Sequence, residues 1–268
     1  MSIYYHGEFP YNASNRIGTV KWTTRAEEII LQGVPIDEVT FVHANYPGID
    51  VGMSADLEST AEDIQRNIDI IKWEKTMAGI TLYGSVPFDQ VDWYSDRFMS
   101  RVDTYWRTLL ANDTDADGDT LTFDSYLEYC AVHTAYIDLM AKYKVVERRT
   151  TGEEIYFPPE SDEDKYCHAT LEPLRNRSAA QHFFRRLARL RGRQIFNTAD
   201  GRIGFTISGV QPGDIVCVLN NSWTPHVLRI VDSGENKVYK FVGDGYVHGL
   251  MNGETDEMDL PVHDLVLA

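Results

Sequence analysis

The sequence predicts a single α+β domain spanning residues 1–268, with helices packed against a small, curled, barrel-like antiparallel sheet. Two patterns and a composition predict it. Between 59 and 143, and again near 177–191, apolar residues recur at helical spacing. Between 195 and 250, short β-rich runs are separated by polar turns. The 268 residues are 43% hydrophobic and 12% aromatic, enough for a sizeable core and too rich for a disordered chain.

Taken in order, Ile29–Val34 and Val39–Val42 are β-rich runs on either side of Pro35 and Asp37, and read as a hairpin that extends the sheet. Ser59 and Glu62 form a capping box for a helix to about 78, with Ile64, Ile68 and Ile71 at helical spacing and Gly79 as its stop. A helix over 95–110 carries Phe98, Val102, Tyr105, Trp106 and Leu109 on one stripe. Another over 125–143 opens at Ser125 with Glu128 and aligns Tyr126, Cys130, His133, Ile137 and Met140. Residues 150–173 hold seven acidic residues and three prolines, and read as a mobile acidic loop. A helix over 177–191, capped by Ser178 and Gln181, turns Phe183, Phe184, Leu187 and Leu190 inward. Ile195–Thr198 and Arg202–Phe205 flank Asp200-Gly201, a strong hairpin signal. Ile215–Leu219, His226–Ile230 and Val238–Val242 add three strands.

A formal charge of −16 and a pI near 4.8 argue against nucleic acid and against an anionic membrane surface. No apolar run is long enough to span a bilayer, and Met1–Gly7 lacks a basic start and an apolar signal core. Cys130, Cys167 and Cys217 fit neither a disulfide framework nor a zinc site, so a reducing, cytoplasmic location is expected.

Five segments recur in a fixed order: Tyr105-Trp106-Arg107-Thr108-Leu109-Leu110-Ala111-Asn112, Gly192-Arg193-Gln194-Ile195-Phe196, Gln211-Pro212-Gly213-Asp214 with the strand to Leu219, Pro225-His226-Val227-Leu228-Arg229, and Phe241–Gly249 with Met251–Glu254. Together they resemble the C-terminal region of fungal heterokaryon-incompatibility (HET) proteins over roughly 95–254. The motifs are largely structural in character: Pro212-Gly213 sets a turn, and Gly243, Gly245 and Gly249 permit tight bends or close backbone approach. The sequence departs from the family at Asn220-Asn221-Ser222, where glycines are usual, near Phe205-Thr206, and at Asp244, a shortened acidic residue. No segment matches the Ser-Tyr-x-Trp-Gly-like motif of the family's N-terminal effector domain. The resemblance therefore implies the fold more than the cell-death output.

Asp113–Asp124 has carboxylates at alternate positions around Gly118, as in a calcium loop. Thr120 stands where an apolar residue pins such loops, and Asp124 replaces the longer bidentate Glu, so an acidic surface loop is the better reading. The seven arginines from Arg175 to Arg193 read as a solvated helix face answering the acidic loop before it. Cys217 lies in an apolar strand, where cysteine is an inert core residue, and His133 reads as a core histidine.

His226, Arg229, Tyr246 and His248 suit a small-molecule pocket, with the bland alternative of a polar network that pins the sheet. His226, Arg229 and His248 are the catalytic candidates. Trp106, Arg107, Trp223 and Tyr246 are the substrate-binding candidates, expected where the sheet faces the Trp106 helix. No cofactor and no metal is expected, since no dinucleotide loop, P-loop, zinc spacing or nucleophile elbow is present. The sequence favours a HET-type domain reused as a cofactor-free, metal-independent cyclase, pericyclase or isomerase of fungal specialised metabolism, with a small molecule as its partner. The alternative is a non-catalytic sensor or protein-interaction module related to heterokaryon incompatibility.

Overall fold

Most runs of Val, Ile and Leu become strands; of the helix expected over 177–191, Phe183, Arg186 and Leu187 are helical, Ala188–Leu190 is a 3-10 turn, and Ser178, Gln181 and Phe184 lie outside the described residues. The structure is a computed structural model that describes residues 11–23, 28–47, 69–70, 72–74, 76–79, 81, 96–113, 115–116, 119–140, 144–147, 154–157, 183, 186–232, 234 and 237–268. In chain order the elements are β1 (Val20–Trp22), β2 (Ile29–Val42), α1 (Asp96–Leu109), β3 (Asp115–Ala116), β4 (Asp119–Thr120), α2 (Phe123–Met140), β5 (Lys144–Glu147) and β6 (Glu154–Phe157). They continue as β7 (Arg193–Thr198), β8 (Ile203–Ile207), β9 (Ile215–Leu219), β10 (His226–Asp232), β11 (Val238–Val247), α3 (Glu254–Glu257) and β12 (His263–Leu267). The chain divides into two compact units, 1–45 with 192–268, and 46–191. No helix among the described residues is long and apolar enough to cross a membrane.

The first unit is an eight-stranded sheet in the order β1-β2-β7-β8-β11-β10-β9. Because β9 pairs back onto β2, the strands β2, β7, β8, β11, β10 and β9 close a ring of six. β12 lies antiparallel to β2 and parallel to β11, and the other pairings are antiparallel. Strand alternation gives the wall two apolar faces. Val216 and Val218 join Val39, Phe196, Val227, Val247 and Leu250 in one core, while Cys217 and Leu219 join Leu228, Tyr239, Leu265 and Leu267 in another.

The expected hairpin over 29–42 is instead one continuous strand, β2. Its register against β9 shifts between Pro35 and Asp37, and its register against β7 shifts between Val39 and Phe41. These bulges bend the strand, let a proline sit inside it, and give its two halves different partners. A reversal was unnecessary because β12, β9 and β7 satisfy the backbone.

Gly213, at φ 92°, forms the expected turn before β9. In the same sheet Asn221 stands at φ 57°, a left-handed position asparagine tolerates well, so the departure from glycine there leaves the turn intact. At Gly245 the constraint is contact: an added Cβ would lie 2.5 Å from the Phe205 carbonyl oxygen. Gly245→Ala is therefore expected to cost about 1–3 kcal/mol by forcing β8 from β11. A denaturant midpoint equal to wild type would show that the two strands part without penalty.

In the 46–191 unit, Asp69–Ile70, Lys72–Glu74 and Thr76–Ala78 are helical, burying Ile70, Trp73 and Met77. The proposed cap at Ser59 lies outside the described residues. α1 buries Val102, Tyr105, Trp106 and Leu109, as the stripe predicts. α2 begins at Phe123, and a reciprocal pair holds its start: Ser125 N–H donates to Thr122 Oγ1, and Thr122 N–H to Ser125 Oγ. Its buried residues include Tyr126, Tyr129 and Val132; the His133 side chain is outside the described set. Within the stretch expected as a mobile loop, β6 is a strand paired with β5 from Lys144↔Phe157 to Glu147↔Glu154. Val145, Val146, Ile155 and Tyr156 give that hairpin its β propensity. The rest of 150–173 lies outside the described residues.

Candidate functional site

The register places His226 directly opposite Asp244, and alternation then carries Tyr246 to the same face of the sheet. The His226 ring is half-buried, 5.3 Å from the Phe241 ring centroid, and its Nδ1 has no hydrogen-bond partner among the described residues. Burial pushes its pKa down to about 4, against the opposing charge of Asp244, so the imidazole is neutral at pH 7. Tyr246 is buried, stacked on Phe205 at 5.5 Å, and its hydroxyl lies 2.8 Å from His248 Nδ1. The Arg193 guanidinium lies over the Phe205 ring, 5.5 Å from its centroid.

Arg229 is three residues from His226, and an odd step along a strand reaches the opposite face. There its Nε and Nη2 donate to the two carboxylate oxygens of buried Asp214, each at 2.8 Å, and Nη2 also donates to the Gly209 carbonyl at 2.7 Å. The structure thus brings His226 and Tyr246 onto one face and puts Arg229 on the other. Trp223 is 53% exposed in the turn before β10.

Trp106 and Arg107 belong to the 46–191 unit. Asp103 accepts from Trp106 Nε1 at 3.1 Å and from Arg107 Nε at 2.8 Å, and the Arg107 guanidinium lies 4.6 Å above the Trp106 ring. Arg107 also reaches Asn112, which ends α1 in a left-handed turn with Ala111. The shared motif here is a helix stop. Asp113, the first carboxylate of the calcium-like loop, pairs with Arg186 and Arg189, so part of the arginine face answers Asp113.

Cys217 is buried, and burial pushes its thiol up to about 12, which fits an inert core residue.

Sequence reading missed a buried acid. Glu74 is 7% exposed; Tyr129 Oη donates to its Oε2 at 2.7 Å, while Oε1 has no partner among the described residues. Burial raises its pKa to about 7, against the lowering effect of the Tyr129 hydrogen bond. Burial, and then the Glu74 charge, raise the phenol pKa values of Tyr46 and Tyr105; that of Tyr126 is raised by burial first, with Glu74 behind Tyr105 and Cys130. Cys130 is pushed up to about 12 by burial and by Glu74. The signal was legible: Glu74 lies four residues after Ile70, on the same stripe as Trp73 and Met77.

Compared with known proteins, residues 103–260 match the Het-6 beta-barrel domain. Heterokaryon incompatibility protein 6, OR allele, of Neurospora crassa is 24% identical over 121 residues, covering 45% of this chain and 18% of that protein. The chain therefore spans less than a fifth of that relative's length. No solved structure gives a significant match. The family match covers more than half of the chain and includes β7 to β11 of the ring of strands: the chain belongs to the Het-6 β-barrel domain family.

Proposed function

We propose that this is a non-catalytic recognition module, a sensor or protein-interaction domain related to heterokaryon incompatibility. The observation that carries the reading is the use made of the candidate catalytic groups: Arg229 is held by Asp214 and Gly209, and His248 by Tyr246. Such bonds pin a sheet and leave little for a reaction. The family match runs across the boundary between the two units, which supports treating 1–268 as one functional domain. The acidic surface favours a protein or small molecule over nucleic acid or membrane, in a cytoplasmic setting.

Exposed apolar residues of the ring unit would serve such a partner. Residues 12–14 run beside the turn at 220–223, with Ala13 N–H donating to Trp223 O and Ser14 N–H to Ser222 O. Exposed Ile17 and Trp223 lie by this contact, with Asn220 Nδ2 donating to Ile17 O, and exposed Trp22 ends the edge strand β1. Trp22→Ser with Trp223→Ser should abolish the incompatibility response in fungal cells while leaving the melting temperature unchanged. His226→Gln should leave the response intact. An unaffected response in the tryptophan variant would overturn the reading.

A cofactor-free cyclase of specialised metabolism is the second reading. What supports it is Glu74, an acid that still holds its proton near neutral pH among aromatic rings, as a buried general acid would.

A further inference from the structure

Among the described residues of the 46–191 unit, Glu74 Oε1, Tyr46 Oη and Tyr105 Oη are buried oxygens without a hydrogen-bond partner. Tyr46 and Tyr105 are 4% and 0% exposed, and an unmet polar atom at such depth costs as much as a lost hydrogen bond. Contacts link all three: Tyr129, which donates to Glu74, stacks on Tyr126 at 6.5 Å, Tyr126 meets Tyr105 edge-on at 6.4 Å, and Tyr46 packs on Trp73, the residue before Glu74. Trp73 meets Tyr46 edge-to-face at 4.9 Å, Phe183 stacks on Tyr129 at 4.6 Å, and Tyr126 lies 5.4 Å from Phe183.

We infer that Glu74, Tyr46 and Tyr105 form a binding site for a small primary ammonium ion, walled by Trp73, Tyr126 and Phe183. A primary ammonium has three N–H donors, and three acceptor oxygens stand without partners among the described residues. The aromatic faces attract the same cation through their quadrupoles. A neutral alcohol brings one donor and leaves the carboxyl protonated. A divalent metal wants several charged oxygens, where this cluster offers one carboxylate and neutral phenols.

The chemistry includes a proton. In the empty site Glu74 is neutral at mildly acid pH, so the ammonium displaces its proton and binding releases one H⁺ below pH about 7. The other titratable groups that couple to Glu74 are Tyr46, Tyr105 of α1, and Tyr126, Tyr129 and Cys130 of α2, all held neutral at this pH by burial. The nearby arginine of α1, Arg101, donates Nη2 to the Thr81 carbonyl at 2.6 Å. This proposal is independent of the recognition surface on the ring unit, which the tryptophan variants test separately.

The experiment is calorimetric titration of the full chain with n-butylammonium and, as an isosteric neutral control, n-butanol, at pH 6 and pH 8 and constant ionic strength. Binding of the ammonium alone is expected, weaker at pH 6 by about tenfold with one proton released. Glu74→Gln, which keeps the Tyr129 hydrogen bond, should reduce affinity by about tenfold or more, and Tyr105→Phe by roughly fivefold. Equal binding of n-butanol, undiminished binding in folded Glu74→Gln, or no binding of either probe would overturn it, and the last would assign the three oxygens to water.

Discussion

Glu74→Gln is expected to make the 46–191 unit more stable at pH 8 by about 2–3 kcal/mol, with a gain that fades as the pH is lowered toward 4. In the wild type, burial raises the Glu74 carboxyl from 4.5 to about 7. Below pH 4.5 the group is neutral in both folded and unfolded chains and imposes no penalty. As the pH rises, the unfolded chain loses its proton first, so stability falls until the pH passes about 7 and stays low above it. The full shift is worth about 3 kcal/mol, and the amide gives back a little because its N–H donors enter the same dry pocket. The readout is hydrogen exchange in α2, whose Tyr129 holds Glu74, measured at pH 4, 6 and 8 on both proteins. An equal effect at all three pH values would mean that Glu74 is not the titrating group.

The ring unit is expected to respond in the opposite sense. His226 has its pKa pushed down to about 4 by burial, so that unit keeps its stability above pH 6.5 and loses it as the pH falls toward 4. Two titrating groups, one in each unit, are thus expected to set opposite pH dependences, and protection factors in β10 and α2, corrected for intrinsic exchange, should move in opposite directions across pH 4–7.

How much of this was legible in the sequence differs by element. The strands from 195 to 250 and the stripe of α1 follow from local pattern, because period and turn chemistry agree with the final burial. The β2 hairpin failed because Pro35 and Asp37 carry the same local signal whether the chain reverses or bulges, and only the partners β7, β9 and β12 decide. α2 starts earlier than read because Thr122, and not Ser125, makes the cap. At the site, the separation of His226 from Arg229 was available in the strand period and overlooked. The Asp214 partner of Arg229 was not available, since it depends on how the 211–214 turn folds back. Glu74 was legible from its spacing, at the position between Trp73 and Met77 on the stripe that Ile70 begins, but a charged residue there is usually solvated.

Arg229→Gln should destabilise the ring unit by about 3 kcal/mol, without the selective loss of function that a ligand-orienting role demands. Asp214 is 2% exposed, and its carboxylate accepts from Arg229 Nε, Arg229 Nη2 and the Gln211 N–H, all at 2.8 Å. The same turn is tied to β2, where Val39 N–H donates to Asp214 O and Gly213 N–H to Val39 O. One ion pair therefore fastens the β8–β9 turn to the middle of β10 and holds the rim of the six-strand ring. Removing the guanidinium leaves a buried carboxylate with one backbone donor, the situation in which breaking a pair costs about 3–5 kcal/mol. The Arg229 side chain is 31% exposed, and water reaching the gap places the expectation at the low end. Arg229→Lys keeps the charge but not the two-pronged geometry, and should fall between glutamine and wild type. A double-mutant cycle with Asp214→Ala, followed by urea unfolding, should return a coupling of about 2 kcal/mol or more. If Arg229→Gln unfolds at the wild-type midpoint, the pair is not holding the turn, the guanidinium is free to meet a ligand, and the catalytic reading of His226 and Arg229 regains its footing.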